Sequence, residues 1–257
     1  MQEFIEFDCC RLNAFSRNKT VSDYIHIEIW DGVKLLKFKP IHYFNYAFIG
    51  DFNFGELIKI EDYYKNVDVL NFKIIIDSSK TEFIRIIDDL KQYRLSQVIG
   101  YFRGGIDDLE RRPDNLLDLV EVDDSNIDLY KEVYLDVFDA ENRHPESALE
   151  NLRLALSIKN FKAFIAIYKN EVVGICSFRV YNGNLMFTAG GLKQKYRGLG
   201  IQKMMFHKRK IMAESQWEFD EISSWAYRNT SSFNNLTSFG LVNTRNFNVY
   251  EFIGTSG

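Results

Sequence analysis

The spacing of apolar residues along this chain alternates between strand-like and helical periods, and the changes mark its elements. Residues 25–38 read as a hairpin that turns at Asp31-Gly32, a two-residue turn suited to joining strands. Residues 43–52 and 69–76 read as strands, the second rich in β-branched side chains. Helices are predicted over 56–66 and 81–93. In the second of these, Phe83, Ile84, Ile86, Ile87 and Leu90 fall at helical spacing. A strand over 95–102 closes the first half.

After Pro113 the same order returns with additions. A strand over 117–122 is followed by helices over 126–138 and 145–158, with 139–144 as the loop between them. Pro145 suits the first turn of a helix, where its missing N–H costs nothing. A hairpin over 162–168 and 172–180 turns at Lys169-Asn170. Then come a strand (184–192), a helix (200–214), a strand (219–227), a helix (230–239) and one or two closing strands (243–253). Within the helix 200–214, Ile201, Met204, Met205, Ile211 and Met212 share a face, which we read as core. The expected class is α/β, with mixed α+β sheets. The charged segment Glu110-Arg111-Arg112-Pro113-Asp114-Asn115 interrupts both periodicities and places a boundary there, giving domains 1–112 and 113–257. The shared order predicts a diverged internal duplication.

Composition narrows the function. With 22 Phe and 14 Tyr in 257 residues, there is ample material for a core. The net charge of −4 disfavours nucleic acid or an anionic membrane as partner. Cys9, Cys10 and Cys176 lack zinc-ligand spacing, so no metal is expected; they read as small buried residues in a reducing compartment. The N-terminus lacks the regions of a signal peptide, and no apolar run is long enough to span a bilayer. A cytoplasmic protein is the expectation.

The chemistry concentrates in Tyr196-Arg197-Gly198-Leu199-Gly200-Ile201-Gln202. This stretch lies between a predicted strand and a predicted helix. Glycines there let a ligand approach the backbone, and the first helical N–H groups have no partner within the helix. With the helix dipole they favour a diphosphate.

The order of strand, Arg-x-x-Gly turn, amphipathic helix, strand ending before Asn229, and short helix running into Gly240-Leu241 resembles the GNAT superfamily of acyl-CoA N-acyltransferases. The family pattern Arg/Gln-x-x-Gly-x-Gly/Ala reads here Arg197-Gly198-Leu199-Gly200-Ile201-Gln202. The resemblance covers roughly residues 117–253. It implies two GNAT-like domains in tandem, each a mostly antiparallel sheet flanked by helices. The first would be a degenerate copy, because Phe52-Asn53-Phe54-Gly55-Glu56 stands where the glycine turn would be.

The resemblance also implies a cofactor, acetyl-CoA, and residues that hold it. Gly190, Gly191 and Leu192 would pair with pantetheine amides as an added strand does. Arg197, Gly198, Leu199, Gly200, Ile201, Gln202 and Lys203 would offer N–H groups to the diphosphate. Asn229 would contact the pantetheine arm, or cap the following helix, or do both.

The sequence departs from the family at Gln202, where Gly or Ala is usual, and at Gly240-Leu241, where Gly-Phe is usual. It departs again at Leu236, where a tyrosine often protonates the departing thiolate. Tyr227 and Tyr250 are candidates to replace that donor, each with an alternative reading as a packing residue. In the loop 139–144, Arg143 suits a substrate carboxylate or phosphate and His144 a base, against the reading of a solvated loop.

The expected function is transfer of an acetyl or acyl group to a primary amine of a small molecule, such as an amino sugar nucleotide, amino acid or peptide. The expected protein is a monomer or homodimer. The alternatives are a non-catalytic acyl-CoA-binding regulator and an interaction module with a purely structural turn.

Overall fold

The computed structural model describes residues 1–30, 32–50, 54–69, 71–105, 116–138 and 145–254. Pro113, Arg143, His144, Asp31 and the segment 51–53 lie outside the described residues. The chain forms two compact units. One comprises Met1–Tyr101, Trp225–Thr230 and Thr244–Gly257; the other comprises Phe102–Ser224 and Ser231–Asn243.

The first unit opens with α1 (Gln2–Phe15), which the sequence pattern did not reveal. Its buried set, Phe4, Ile5, Phe7, Asp8, Leu12, Ala14 and Phe15, covers much of its circumference and includes an acid. The contrast that marks an amphipathic helix is therefore weak. The hairpin β1 (Ile25–Trp30) and β2 (Val33–Phe38) follows, then β3 (Tyr46–Ile49), α2 (Phe54–Asn66), β4 (Lys73–Asp77), α3 (Thr81–Asp88) and β5 (Tyr93–Gly105). The predicted strand over 43–52 is shorter, because His42–Phe44 forms a turn of 3₁₀ helix. The predicted helix over 81–93 ends at Asp88, and Tyr93 already belongs to β5.

β1, β2 and β3 pair antiparallel in chain order, and β3 pairs parallel to β4. The far side of β4 is taken by the last strand of the chain, β11 (Val242–Phe252), with Glu251 opposite Lys73 and Phe247 opposite Asp77. The C-terminal strand therefore completes the first unit's sheet. Its Tyr250 enters a core with Leu35, Ile60, Tyr64, Phe72, Ile74 and Ile87.

The second unit contains β6 (Leu117–Glu121), α4 (Ile127–Val137), α5 (Pro145–Leu156), β7 (Phe161–Tyr168), β8 (Glu171–Tyr181), β9 (Asn184–Leu192), α6 (Ile201–Glu214), the start of β10 (Glu221–Tyr227), and α7 (Ser231–Phe239). β6 to β9 pair antiparallel in chain order, and β9 pairs parallel to β10. Lys169 and Asn170 have φ of 51° and 64°, the left-handed pair that a tight hairpin needs.

α4 packs onto this sheet through Ile127, Tyr130, Val133 and Val137. A Cβ on Gly191 would lie 2.1 Å from Val137 Cγ1, so glycine is what lets the end of α4 reach β9. In α6 the buried face is Ile201, Met205, Phe206, Arg209 and Ala213. Ile211, expected on the core stripe, is exposed. Among the described residues no helix is long and apolar enough to cross a membrane.

Gly191→Ala is expected to lower stability by about 1–3 kcal/mol through overpacking. The urea midpoint measures it, and Val137→Ala in the same chain is expected to restore part of the loss.

Candidate functional site

The site is built on β9, which changes character halfway along. Its ladder to β10 runs only through Asn184, Leu185 and Met186, opposite Glu221, Ile222 and Ser223. At the next position the Ser224 hydroxyl donates to the Phe187 carbonyl at 3.1 Å, so a side chain continues where the backbone pairing stops. From Thr188 to Leu192 no residue of β10 pairs with β9. Thr188, Ala189, Gly190 and Gly191 are partly exposed.

At the same place β9 is bulged against β8. Cys176 faces Gly190 and Phe178 faces Phe187, so Thr188 and Ala189 together oppose Ser177. The Ser177 hydroxyl fastens the bulge. It accepts from the Ala189 N–H at 3.0 Å and shares a 2.7 Å hydrogen bond with the Thr188 hydroxyl.

Arg209 of α6 clamps the bulge from one face. Its Nη1 donates to the Ser177 carbonyl at 3.0 Å and the Ala189 carbonyl at 3.1 Å, and its Nε to the Met205 carbonyl at 3.2 Å. The guanidinium lies 4.3 Å from the ring centre of Phe187 and 4.8 Å from that of Phe206. Arg209 is 1% exposed, and burial pulls its pKa down to about 10. It therefore stays charged at neutral pH, held by carbonyls and aromatic faces with no carboxylate partner. The neighbouring Cys176 thiol is pushed up to about 11, by burial first, so it is a neutral packing group. The sequence reading missed Arg209; an arginine among apolar positions of an amphipathic helix was its only signal.

A Cβ on Gly190 would sit 3.0 Å from Gln202 Nε2 and 3.5 Å from Arg209 Nη2. The missing side chain at Gly190 thus makes room for both. The Gln202 amide lies back over β9, which accounts for a long residue where Gly or Ala is usual.

After β9, a turn of 3₁₀ helix (Gln194–Tyr196) leads into the glycine turn. Lys195 and Tyr196 both hold Glu171, whose carboxyl is lowered by the Tyr196 hydrogen bond and then by Lys195. Arg197 Nε donates to the Leu192 carbonyl at 3.1 Å, tying the turn to the strand end. Gly198 and Gly200 have φ of 80° and 76°. An added Cβ at either would touch nothing within 4 Å, so backbone conformation, not space, calls for glycine there. Gly200 is the residue preceding α6. Among the described residues the N–H groups of Gly198, Leu199, Gly200, Ile201 and Gln202 have no acceptor, whereas that of Lys203 bonds to the Gly200 carbonyl at 3.0 Å. A row of free amides at a helix start is the donor set a diphosphate needs.

Gly190 to Leu192 and Arg197 to Lys203 are therefore brought together in the second unit. Tyr227, Asn229 and Tyr250 belong to the first unit. Asn229 is exposed with φ of 63°, a conformation asparagine tolerates, and α7 starts after Thr230, so Asn229 is not its cap. The Tyr250 hydroxyl donates to Asp88 at 2.7 Å, its ring is buried, and its pKa rises to about 12, mainly through burial. The Tyr227 hydroxyl has no hydrogen-bond partner among the described residues, and its pKa is raised by burial, then by Glu251 and Asp8. Leu236, in the second unit, is 2% exposed and part of the core. No cluster of His, Cys, Asp and Glu able to hold a metal occurs among the described residues.

This architecture is that of GCN5-related N-acetyltransferases. The chain is similar to one from Sphaerobacter thermophilus (TM-score 0.66, 12% identity, 91% of this chain and 84% of that one). It is also similar to one from Kribbella flavida (TM-score 0.65, 9% identity, 95% and 96%). A tandem GNAT protein from the clavulanic acid biosynthesis pathway gives a TM-score of 0.61 at 10% identity over 88% and 79%. No protein-family model matches the sequence, and a search of curated proteins matches none. At these identities the likeness establishes the fold, a tandem GNAT architecture, and leaves the reaction to be argued from the site.

Arg209→Met orphans the buried Ser177 carbonyl, at about 1–3 kcal/mol, and the part-buried Ala189 carbonyl at less. A lower melting temperature is expected.

Proposed function

We propose that this protein is an acetyl-CoA-dependent N-acyltransferase acting on a primary amine of a small molecule. The observation that carries the reading is the open edge of β9 followed directly by the free amides of Gly198 to Gln202. An extended pantetheine arm can pair with the open edge as an added strand, while the amides and the α6 dipole receive the diphosphate. Gly198 and Gly200 hold the amides outward, Arg197 ties the turn to Leu192, and Arg209 with Ser177 keeps the edge in its bulged shape. When bound, the coenzyme supplies an acyl thioester. Its carbonyl needs a hydrogen-bond donor as charge develops, and its thiolate leaves tolerably without a protein acid. The acceptor amine must be unprotonated to attack.

A second reading is favoured by Leu236. A buried leucine where relatives often place the proton donor suits a protein that binds acyl-CoA and does not turn it over.

Calorimetry with acetyl-CoA, followed by thiol release across a panel of amino acids, peptides and amino sugar nucleotides, separates these readings. Binding and amine-dependent thiol release are expected. Binding without release on any amine supports the second reading, and absence of both removes the two together. Gly200→Glu is expected to weaken acetyl-CoA at least about tenfold, because it sets a carboxylate beside the diphosphate. Its left-handed strain costs about 1–2 kcal/mol, so the protein stays folded.

A further inference from the structure

β1 is the outermost strand of the first unit and pairs only with β2 among the described residues. Its backbone groups alternate between the two sides. Lys39 donates its N–H to the Tyr24 carbonyl at 3.3 Å, so in an antiparallel pair His26, Glu28 and Trp30 also turn theirs toward β2. Ile25, Ile27 and Ile29 turn theirs to the open side. The Ile25 N–H is taken by the Ser22 carbonyl, whereas those of Ile27 and Ile29 have no acceptor among the described residues.

Proteins commonly blunt such an edge with lysine, proline or a bulge. β1 has none of these: its 6 residues run in unbroken register with β2, and Ile29 is 67% exposed. Its sequence instead complements itself. A second β1 turned antiparallel about Ile27 sets Ile27 against Ile27, Ile25 against Ile29 and His26 against Glu28. Tyr24, 45% exposed, comes opposite Trp30. His26 and Glu28 are both exposed and fall at the positions between hydrogen-bonded pairs, where side chains approach most closely. There an imidazole N–H donates to a carboxylate. Sliding the copy to the next register of the same alternation sets Glu28 against Glu28, or His26 against His26. Charge therefore selects the register centred on Ile27. β6, the outer strand of the second unit, offers no such match, since Leu117–Glu121 contains Asp118 and Glu121 and no base.

We propose that two copies of this chain join through β1 as an antiparallel, two-fold pair centred on Ile27. Ile27 donates to Ile27 of the second copy, Ile29 donates to the Ile25 carbonyl of the second copy, and the second copy reciprocates. The ladder is short for a protein interface, so a dissociation constant on the order of micromolar is expected. The edge lies apart from the coenzyme reading and survives if that reading fails.

Sedimentation equilibrium on the full chain tests it. A reversible monomer–dimer equilibrium is expected, with the dimer predominant at about 100 μM. Ile27→Pro removes an N–H that the β2 ladder does not use, and is expected to abolish the dimer while the fold persists. Glu28→Lys and His26→Glu are each expected to weaken the dimer at least about tenfold, because each change acts twice across the two-fold axis. Both changes together exchange the paired groups, and the double variant is expected to return to within about threefold of wild-type affinity. Circular dichroism checks folding, and the two charge variants carry the test where proline disturbs the strand. The proposal is overturned if the protein stays monomeric at about 100 μM, or if it assembles without limit. It is equally overturned if the single variants keep wild-type affinity, or if the double variant is no tighter than the singles.

Discussion

The parting of two parallel strands governs the rest of the candidate site. β9 and β10 pair only at their beginnings, and beyond Phe187 the β9 edge has no partner on β10. An unpaired edge inside a sheet is costly unless its backbone groups find other uses. Here the Ser224 hydroxyl takes the first orphaned carbonyl, and Arg209 takes the Ala189 carbonyl from behind. A buried guanidinium is a strong reagent for this task. It binds carbonyls on both strands of the bulge while its flat faces rest on Phe187 and Phe206.

The first unit repeats the topology without the parting. Every residue of β3 is paired to β4, from Tyr46 opposite Lys73 to Ile49 opposite Ile76. A parallel pair zipped along its whole length offers no edge to an added chain.

Much of the second unit was legible in the sequence because local signals there agree with tertiary demands. Lys169-Asn170 marks a hairpin, Gly198 and Gly200 mark left-handed turns, and the helix after them appears within a residue of its predicted start. Less was legible where burial runs around an element or where a contact is distant in sequence. α1 escaped notice because its buried residues do not form a narrow stripe. Gly190 and Gly191 were read as cofactor-facing positions. The structure adds that one makes room for Gln202 and Arg209, the other for Val137 on the opposite face.

The sequence by itself determined the class of fold and the position of a glycine turn at a helix start. Both rest on short-range physics: periodicity, turn conformations that demand glycine, and amides left free at a helix start. Only the tertiary structure decided that the last strand completes the first unit's sheet and that β9 opens beyond Phe187. It also decided that a buried arginine sustains that opening. These depend on pairing choices between segments far apart in the chain, where strand identity says that a residue can pair but not with which partner.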